Sequence, residues 1–173
     1  SLVRGNHDNR TTYFDKLFGG EDATYVKQQT MVSCYEYDWT YPGETTLSAK
    51  ARNTAHEFSG TDVDYLVIAL DFGAQDDVLE WANGVVEAYP NHTVIVSTHA
   101  YLSSTGAILD ESSNDSPDGK NYDGIEGQYN GGVGGNEARR LWNGKKWKYQ
   151  AKSLVEEPFN GGQDLWDKFI SKH

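Results

Sequence analysis

The strongest hydrophobic signal in the chain is an unbroken apolar run at residues 65–70, Tyr-Leu-Val-Ile-Ala-Leu, followed by a helical period and then a second apolar run. A continuous run of that length fits a strand covered on both faces, as in a parallel sheet. After Asp71-Phe72-Gly73, Asp77 and Glu80 stand at the spacing of a capping box, and Val78, Ala82, Val85, Val86 and Tyr89 fall on one helical face. Pro90 ends that helix, and residues 94–96 make the next strand. His99 then emerges at its C-terminal end, the edge where open α/β sheets place their sites.

Elsewhere the pattern is weaker. Leu2-Val3 reads as the tail of a strand that delivers Asn6 and His7 at its end, and residues 12–18 as a short helical turn stopped by Gly19-Gly20. Residues 31–39 and 46–58 carry β-type side chains in partial alternation, bounded by Tyr41-Pro42-Gly43 and Ser59-Gly60, which predicts a hairpin. From 103 to 135 the chain is a Gly, Asn, Asp and Ser tract holding eight of the eighteen glycines. Loops of that length are usually functional or mobile, and this one starts just beyond His99, so it is expected to lie over the site, either shaping substrate access or as a disordered flap with no substrate role. Tyr101, Tyr122 and Tyr129 are its candidates to touch a substrate. Residues 136–142 are expected to form a short helix. The stretch 139–148 is basic and interleaved with Trp142 and Trp147, either an anion- or sugar-gripping surface or, more simply, a turn at Asn143-Gly144 flanked by solvated lysines. Residues 163–172 read as a helix with Leu165, Trp166, Phe169 and Ile170 inward.

Composition narrows the function classes. With 173 residues, 37% hydrophobic and 13% aromatic, the chain can bury a sizeable core as one domain or most of one. Its formal net charge of −11 argues against a nucleic-acid or anionic-membrane partner. A phosphate substrate would be repelled as well, unless bound cations reverse the local field. Cys34 is the only cysteine, so an intramolecular disulfide and a thiolate zinc cluster are both excluded. No apolar run approaches the roughly 20 residues of a membrane span, and a soluble protein is expected, with secretion left open.

Two short blocks carry chemistry: Gly5-Asn6-His7-Asp8, and Ser97-Thr98-His99-Ala100-Tyr101 some ninety residues on. They resemble two metal-site motifs of the calcineurin-like metallophosphoesterases, and the segment from Asp71-Phe72-Gly73 to His99 is similar to a bacterial branch of that family. The family builds its site from five blocks: Asp-x-His, a Gly-Asp block, Gly-Asn-His-Asp/Glu, a lone histidine after a later strand, and Gly-His-x-His. This sequence contains only the third and fourth. The resemblance therefore implies a partial domain, an incomplete α/β sandwich of mixed sheets with flanking helices, cut before the third block and before the fifth.

The resemblance also assigns roles. Asn6 and His99 become ligands of one metal. His7 becomes the general acid that protonates the departing alkoxide, a task for a group titrating near neutrality. Asp8 orients His7 by accepting its other ring N–H. The cofactor implied is a pair of divalent ions, manganese, iron or zinc, and the substrate a phosphate monoester or diester. Ligands for the second metal belong to the blocks not found in this sequence, so the chain alone is expected to bind metal weakly and to be inactive or nearly so. Missing neighbour strands would leave sheet edges open to self-association.

His56 and His92 read as packed or solvated rather than ligating, and Asp71-Phe72-Gly73 as a strand-end turn rather than the magnesium loop of a kinase. Two other classes compete. Five Trp and eleven Tyr on an acidic chain with a Gly/Asn-rich loop would suit a carbohydrate-binding module. A carboxylate-based glycosidase is the third reading, though no catalytic pair stands out among the 26 acidic residues.

Overall fold

The computed structural model describes residues 2–5, 13–19, 30–40, 46–71, 74–99, 101–102, 106, 108, 140–142, 147–149 and 160–173. Its strands are β1 (Met31–Cys34), β2 (Asp38–Thr40), β3 (Thr46–Ser48), β4 (Thr54–Ser59), β5 (Asp64–Leu70), β6 (Thr93–Thr98), β7 (Arg140–Trp142) and β8 (Trp147–Tyr149). Its α-helices are α1 (Asp76–Ala88) and α2 (Gly162–Lys168). A four-stranded mixed sheet in the order β1-β4-β5-β6 forms the centre, with β5 and β6 parallel and the other neighbours antiparallel. The fold is mixed α/β.

The expected strand-helix-strand unit is present, and it builds the core. β5 and β6 pair in register from Tyr65↔Thr93 to Leu70↔Thr98. Helix α1 lays Val78, Leu79, Ala82, Val85 and Val86 on Ala55, Leu66, Ile68 and Leu70, and α2 and the residue that caps its C-terminus add Leu165 and Phe169. Each of the Val, Leu, Ile and Phe side chains among them stabilises the fold by about 1.5–3 kcal/mol when fully withdrawn from water. The helix start differs from the capping-box expectation. Gln75 is the N-cap, with no side-chain cap bond, while Asp77 lies inside the first turn. There Asp77 accepts hydrogen bonds from the Val78 amide (2.8 Å) and from the Tyr35 hydroxyl. A carboxylate in the first turn still meets the positive end of the helix dipole.

The predicted hairpin is also present, in interrupted form. β1 pairs with β4 and β2 pairs with β3, nested inside one another. Between the two ladders the Tyr35 amide donates to the Asn53 carbonyl (3.0 Å) and the Ala49 amide to the Tyr37 carbonyl (2.9 Å). One residue on the outgoing strand therefore faces three on the returning one. The excess closes as a turn, with the Arg52 amide donating to the Ala49 carbonyl (3.0 Å), and the Arg52 side chain is fully buried. A bulge of this kind re-aims a side chain that a regular strand would leave outside.

Residues 13–19 are helical as expected, in a π-helical turn over Asp15–Gly19. Gly19 belongs to that turn instead of stopping it, and its Cα lies against β3. A Cβ built there would stand 2.1 Å from the Ser48 carbonyl oxygen, so only glycine permits the contact. Leu2 and Val3 are not in a strand; Leu2 packs on a small second cluster of Phe14, Ala51 and Phe18.

Two expectations near the C-terminal part are corrected. Residues 140–142 form a strand, pairing from Arg140↔Tyr149 to Trp142↔Trp147, and not the end of a helix over 136–142. The backbone ladder to a second segment supersedes the local helical pattern. The turn at Asn143-Gly144, residues 136–139 and nearly all of the 103–135 tract lie outside the described residues. At the start of that tract Leu102 bridges Ile108, with Gly106 at φ 84°. In the last helix Trp166 points outward at 47% exposure, whereas Leu165 and Phe169 are buried. The helix ends at Lys168 and tightens into a 3-10 turn over Ile170–Lys172, and Ile170 is half-buried against the core as expected.

The sheet face opposite α1 carries Thr54, His56 and Phe58 of β4, Tyr65 and Val67 of β5, and Ile95 of β6. Phe58 stacks on Tyr65 at 4.9 Å, and Phe58 and Ile95 remain 44% and 42% exposed. His56 is buried between the Thr54 hydroxyl (3.1 Å) and the Thr30 hydroxyl (3.4 Å). Burial lowers its pKa to about 4. Both histidines expected to be non-ligating are engaged elsewhere, since His92 contacts Glu57 at 3.1 Å.

Gly19→Ala is expected to cost about 1–3 kcal/mol, because backbone has to part from backbone. The check is a urea midpoint that falls with unchanged slope; a wild-type midpoint would contradict the contact. For His56 the folded pKa of about 4 lies below the ordinary 6.5, so the unfolded chain binds the extra proton first. Its contribution is complete above pH 6.5 and fades as pH falls toward 4. His56→Gln should flatten the fall of the urea midpoint between pH 6.5 and 4.

Candidate functional site

The site grows from the C-terminal edge of the parallel pair. The register that sets Leu70 opposite Thr98 brings the next residues, Asp71 and His99, to neighbouring positions at the same edge. Asp71 is buried and His99 is exposed. The segment 2–5 runs to this edge and is held there at two points.

The first point is Arg4. Its side chain is 1% exposed, and it donates from Nε to Asp71 Oδ1 (2.8 Å) and from Nη2 to Asp71 Oδ2 (2.5 Å). A two-point guanidinium–carboxylate contact fixes orientation as well as distance. The Asp71 amide in turn donates to Asn53 Oδ1 (2.8 Å), so the returning strand of the hairpin anchors the carboxylate that anchors the arginine. Burial, and the neighbouring Arg52, would lower the Arg4 pKa, but Asp71 raises it above the ordinary value. Arg4 stays a cation. Its Nη1 is buried with no hydrogen-bond partner among the described residues.

A second pair repeats the arrangement beside it. Arg52 donates from Nε to Asp15 Oδ1 (2.9 Å) and from Nη2 to Asp15 Oδ2, and its Nη1 reaches the Tyr37 hydroxyl at 3.4 Å. Burial would lower the Arg52 pKa, yet Tyr37 and Asp15 carry it well above the ordinary value. Between the hairpin and the start of α1 lies a cavity of about 70 Å³ lined by Tyr35, Tyr37, Asn53, Asp71, Gln75 and Asp77 among others.

The second point is Gly5, whose missing side chain leaves room for the His99 ring. A Cβ at residue 5 would stand 3.3 Å from His99 Nε2, and 3.4 Å from both Cδ2 and Cε1. Near-equal distances to three ring atoms mean that the approach is over the face of the imidazole. Along the in-plane nitrogen axis, the carbons would be much farther away than the nitrogen. The in-plane lone pair of Nε2 is therefore not aimed at Gly5.

Of the residues singled out in the sequence, His99 stands at this edge as expected. Asn6, His7 and Asp8 follow Gly5 in the chain and lie outside the described residues. Tyr101 is half-buried and packs against the main core, while Tyr122 and Tyr129 lie outside the described residues. Asp71 has the structural role expected of it, with Phe72 and Gly73 outside the described residues. Among the described residues, no three His, Cys, Asp or Glu side chains gather in a metal-binding group. Sequence reasoning passed over Arg4 and Asn53. A signal for Arg4 existed: a cation directly before Gly-Asn-His-Asp in an otherwise apolar approach calls for a buried carboxylate. Asn53, amid β-type residues, offered none.

Comparison of the chain with protein-family models, with curated proteins and with solved structures yields no match.

The face-on approach makes residue 5 a probe of His99. Gly5→Ala should displace the imidazole by a few tenths of an ångström, since an exposed ring yields more easily than backbone. In 15N-histidine-labelled protein the His99 ring resonances are expected to shift while the melting temperature stays nearly constant. Unmoved resonances would exclude the approach.

Proposed function

We propose that this chain is part of a metal-dependent phosphoesterase of the calcineurin-like kind, hydrolysing phosphate monoesters or diesters with two divalent ions. One observation carries the reading: the glycine that opens Gly-Asn-His-Asp stands over the face of His99, the histidine of the second motif, where a Cβ would come within 3.3–3.4 Å of three ring atoms. Residues far apart in sequence meet at the edge of a parallel pair, the position where α/β sheets concentrate chemistry. The mixed sheet is read as one layer of the family's sandwich. Its half-open face with Phe58, Tyr65 and Ile95 is the side a second layer would cover.

In this reading the Asn6 amide oxygen and a His99 ring nitrogen are donors to one ion. An exposed imidazole at the C-terminal edge of the parallel pair fits that use. Two neutral donors alone hold a divalent ion weakly, and the described residues add no third. When bound, the metal pair polarises the ester and lowers the pKa of a water enough to make it a nucleophile. His7 gives a proton to the departing alkoxide oxygen. Asp8 accepts the other ring N–H of His7 and fixes its tautomer. The net charge of −11 makes substrate binding depend on the cations, because the chain by itself repels a phosphate.

The test is turnover of p-nitrophenyl phosphate and bis-p-nitrophenyl phosphate by the full-length protein that carries this chain, with added manganese, iron or zinc. Metal-stimulated hydrolysis is expected, with kcat lowered by about 10²–10⁴-fold in His7→Ala and stimulation lost in His99→Ala. Absence of turnover with all three metals would sink the reading. Glycan binding that survives removal of both Asn6 and His99 would favour a carbohydrate-binding module instead.

A further inference from the structure

We propose that the candidate site takes soluble phosphate esters whose alcohol part is apolar, alkyl or aryl, and that Tyr13, Leu17, Leu102 and Ile108 form the rim that receives that part. The phosphate end of this proposal rests on the phosphoesterase reading; the apolar rim does not, and it is tested separately.

Exposure leads to these four. Among the described residues the three most exposed large apolar side chains are Tyr13 (67%), Leu17 (64%) and Leu102 (55%), and Ile108 stands at 43%. All four belong to the two segments that follow the motifs, since Tyr13 comes shortly after Asp8 and Leu102 shortly after His99. Tyr13 and Leu17 are one turn apart on the helical segment 13–19, whereas Phe14 of the same segment is buried, so the exposed pair has a face of its own. Leu102 and Ile108 meet across an antiparallel bridge, with Gly106 between them at φ 84°. Directly opposed residues of an antiparallel pair lie on the same side, so these two make a second apolar pair. Both segments adjoin the same edge. The helical segment meets Leu2 in the small cluster of Phe14, Ala51 and Phe18, close in sequence to Gly5. Gly5 stands where a Cβ would come within 3.3 Å of His99 Nε2, and the second pair begins just beyond His99.

Contiguous apolar groups left in water mark ligand or partner surfaces, and ligand sites are lined mainly by apolar side chains around a few polar groups. The remaining exposed apolar side chains have other settings: Phe58 and Ile95 lie on the open sheet face, and Trp166 on α2. Charge explains why such a rim belongs beside this site. At −11 the chain repels a bare phosphate, so affinity for an ester has to come from bound cations at one end and from apolar burial, which is indifferent to charge, at the other. The same charge disfavours an anionic membrane surface, which leaves a soluble ester as the ligand. Binding energy from the non-reacting alcohol also helps to orient the phosphate.

The experiment titrates the full-length protein with ethyl-, butyl- and hexylphosphonic acid by calorimetry, with and without manganese. These phosphonates carry a phosphate-like anion on a C–P bond that phosphoester hydrolysis does not cleave. Affinity is expected to rise by about 2–4-fold per methylene, and so by roughly tenfold or more from ethyl to hexyl. Leu17→Ser, Leu102→Ser and Ile108→Ser change exposed positions that the fold tolerates, and each should weaken hexylphosphonate binding by about threefold or more. Trp166→Ser, at an exposed position on α2, should leave the chain-length gain as it is. Affinity that does not rise with chain length overturns the proposal, and so does an absence of hexylphosphonate binding. The rim is wrongly assigned if Leu17→Ser and Leu102→Ser behave like Trp166→Ser. It is also wrong if Phe58→Ser abolishes the gain, since the alkyl chain would then lie on the open sheet face. Turnover of p-nitrophenyl phosphate is followed in parallel; its absence alongside a chain-length gain counts against the phosphoesterase reading alone.

Discussion

Two buried arginines hold the irregular parts of this protein to its sheet. Arg4 ties segment 2–5 to the end of β5, and Arg52 ties the hairpin bulge to the helical turn at Asp15–Gly19. Neither charge could be withdrawn from water alone, and removing one partner of such a pair costs about 3–5 kcal/mol because the other is stranded. Each pair is therefore close to all-or-none. The buried carboxylates serve as geometric fixed points for the two arginines that pair with them.

The mixed sheet puts these fixed points where they can be used. A parallel neighbour places the ends of β5 and β6 on the same side, so Asp71 and His99 become neighbours by register. The antiparallel hairpin approaches from the other direction and brings Asn53, just ahead of β4, to the same edge. A wholly antiparallel sheet would have sent β6 the opposite way and parted Asp71 from His99. Helix α1 crosses between the parallel strands and buries the aliphatic face that makes the register unambiguous. A one-residue slip would turn Leu66, Ile68 and Leu70 away from the helix.

Much of this architecture could be read directly. The run at 65–70, the face of Val78, Ala82, Val85 and Val86, the stop at Pro90 and the strand before His99 all come from periodicity, which depends only on each element's own repeat. The hairpin was legible for the same reason, but its interruption was not. Nothing local marks that Arg52 turns inward to Asp15, because the partner lies 37 residues away. The strand at Arg140–Trp142 replaced an expected helix because its ladder partner, Trp147–Tyr149, lies outside the local pattern, and Trp166 of the last helix is exposed although it was expected inward.

The sequence by itself determined which segments are strands and helices in the centre of the fold, that the core is sizeable, that no disulfide forms, and which two short blocks carry candidate chemistry. Those properties follow from residue type and near-neighbour spacing. Only the tertiary structure decided that Arg4 is buried on Asp71, that Asn53 supports that pair, that His56 is dehydrated and hard to protonate, and that Gly5 stands over the face of His99. Burial of a charge, desolvation of an imidazole and approach across 94 residues are properties of surroundings, and surroundings exist only once the chain has folded.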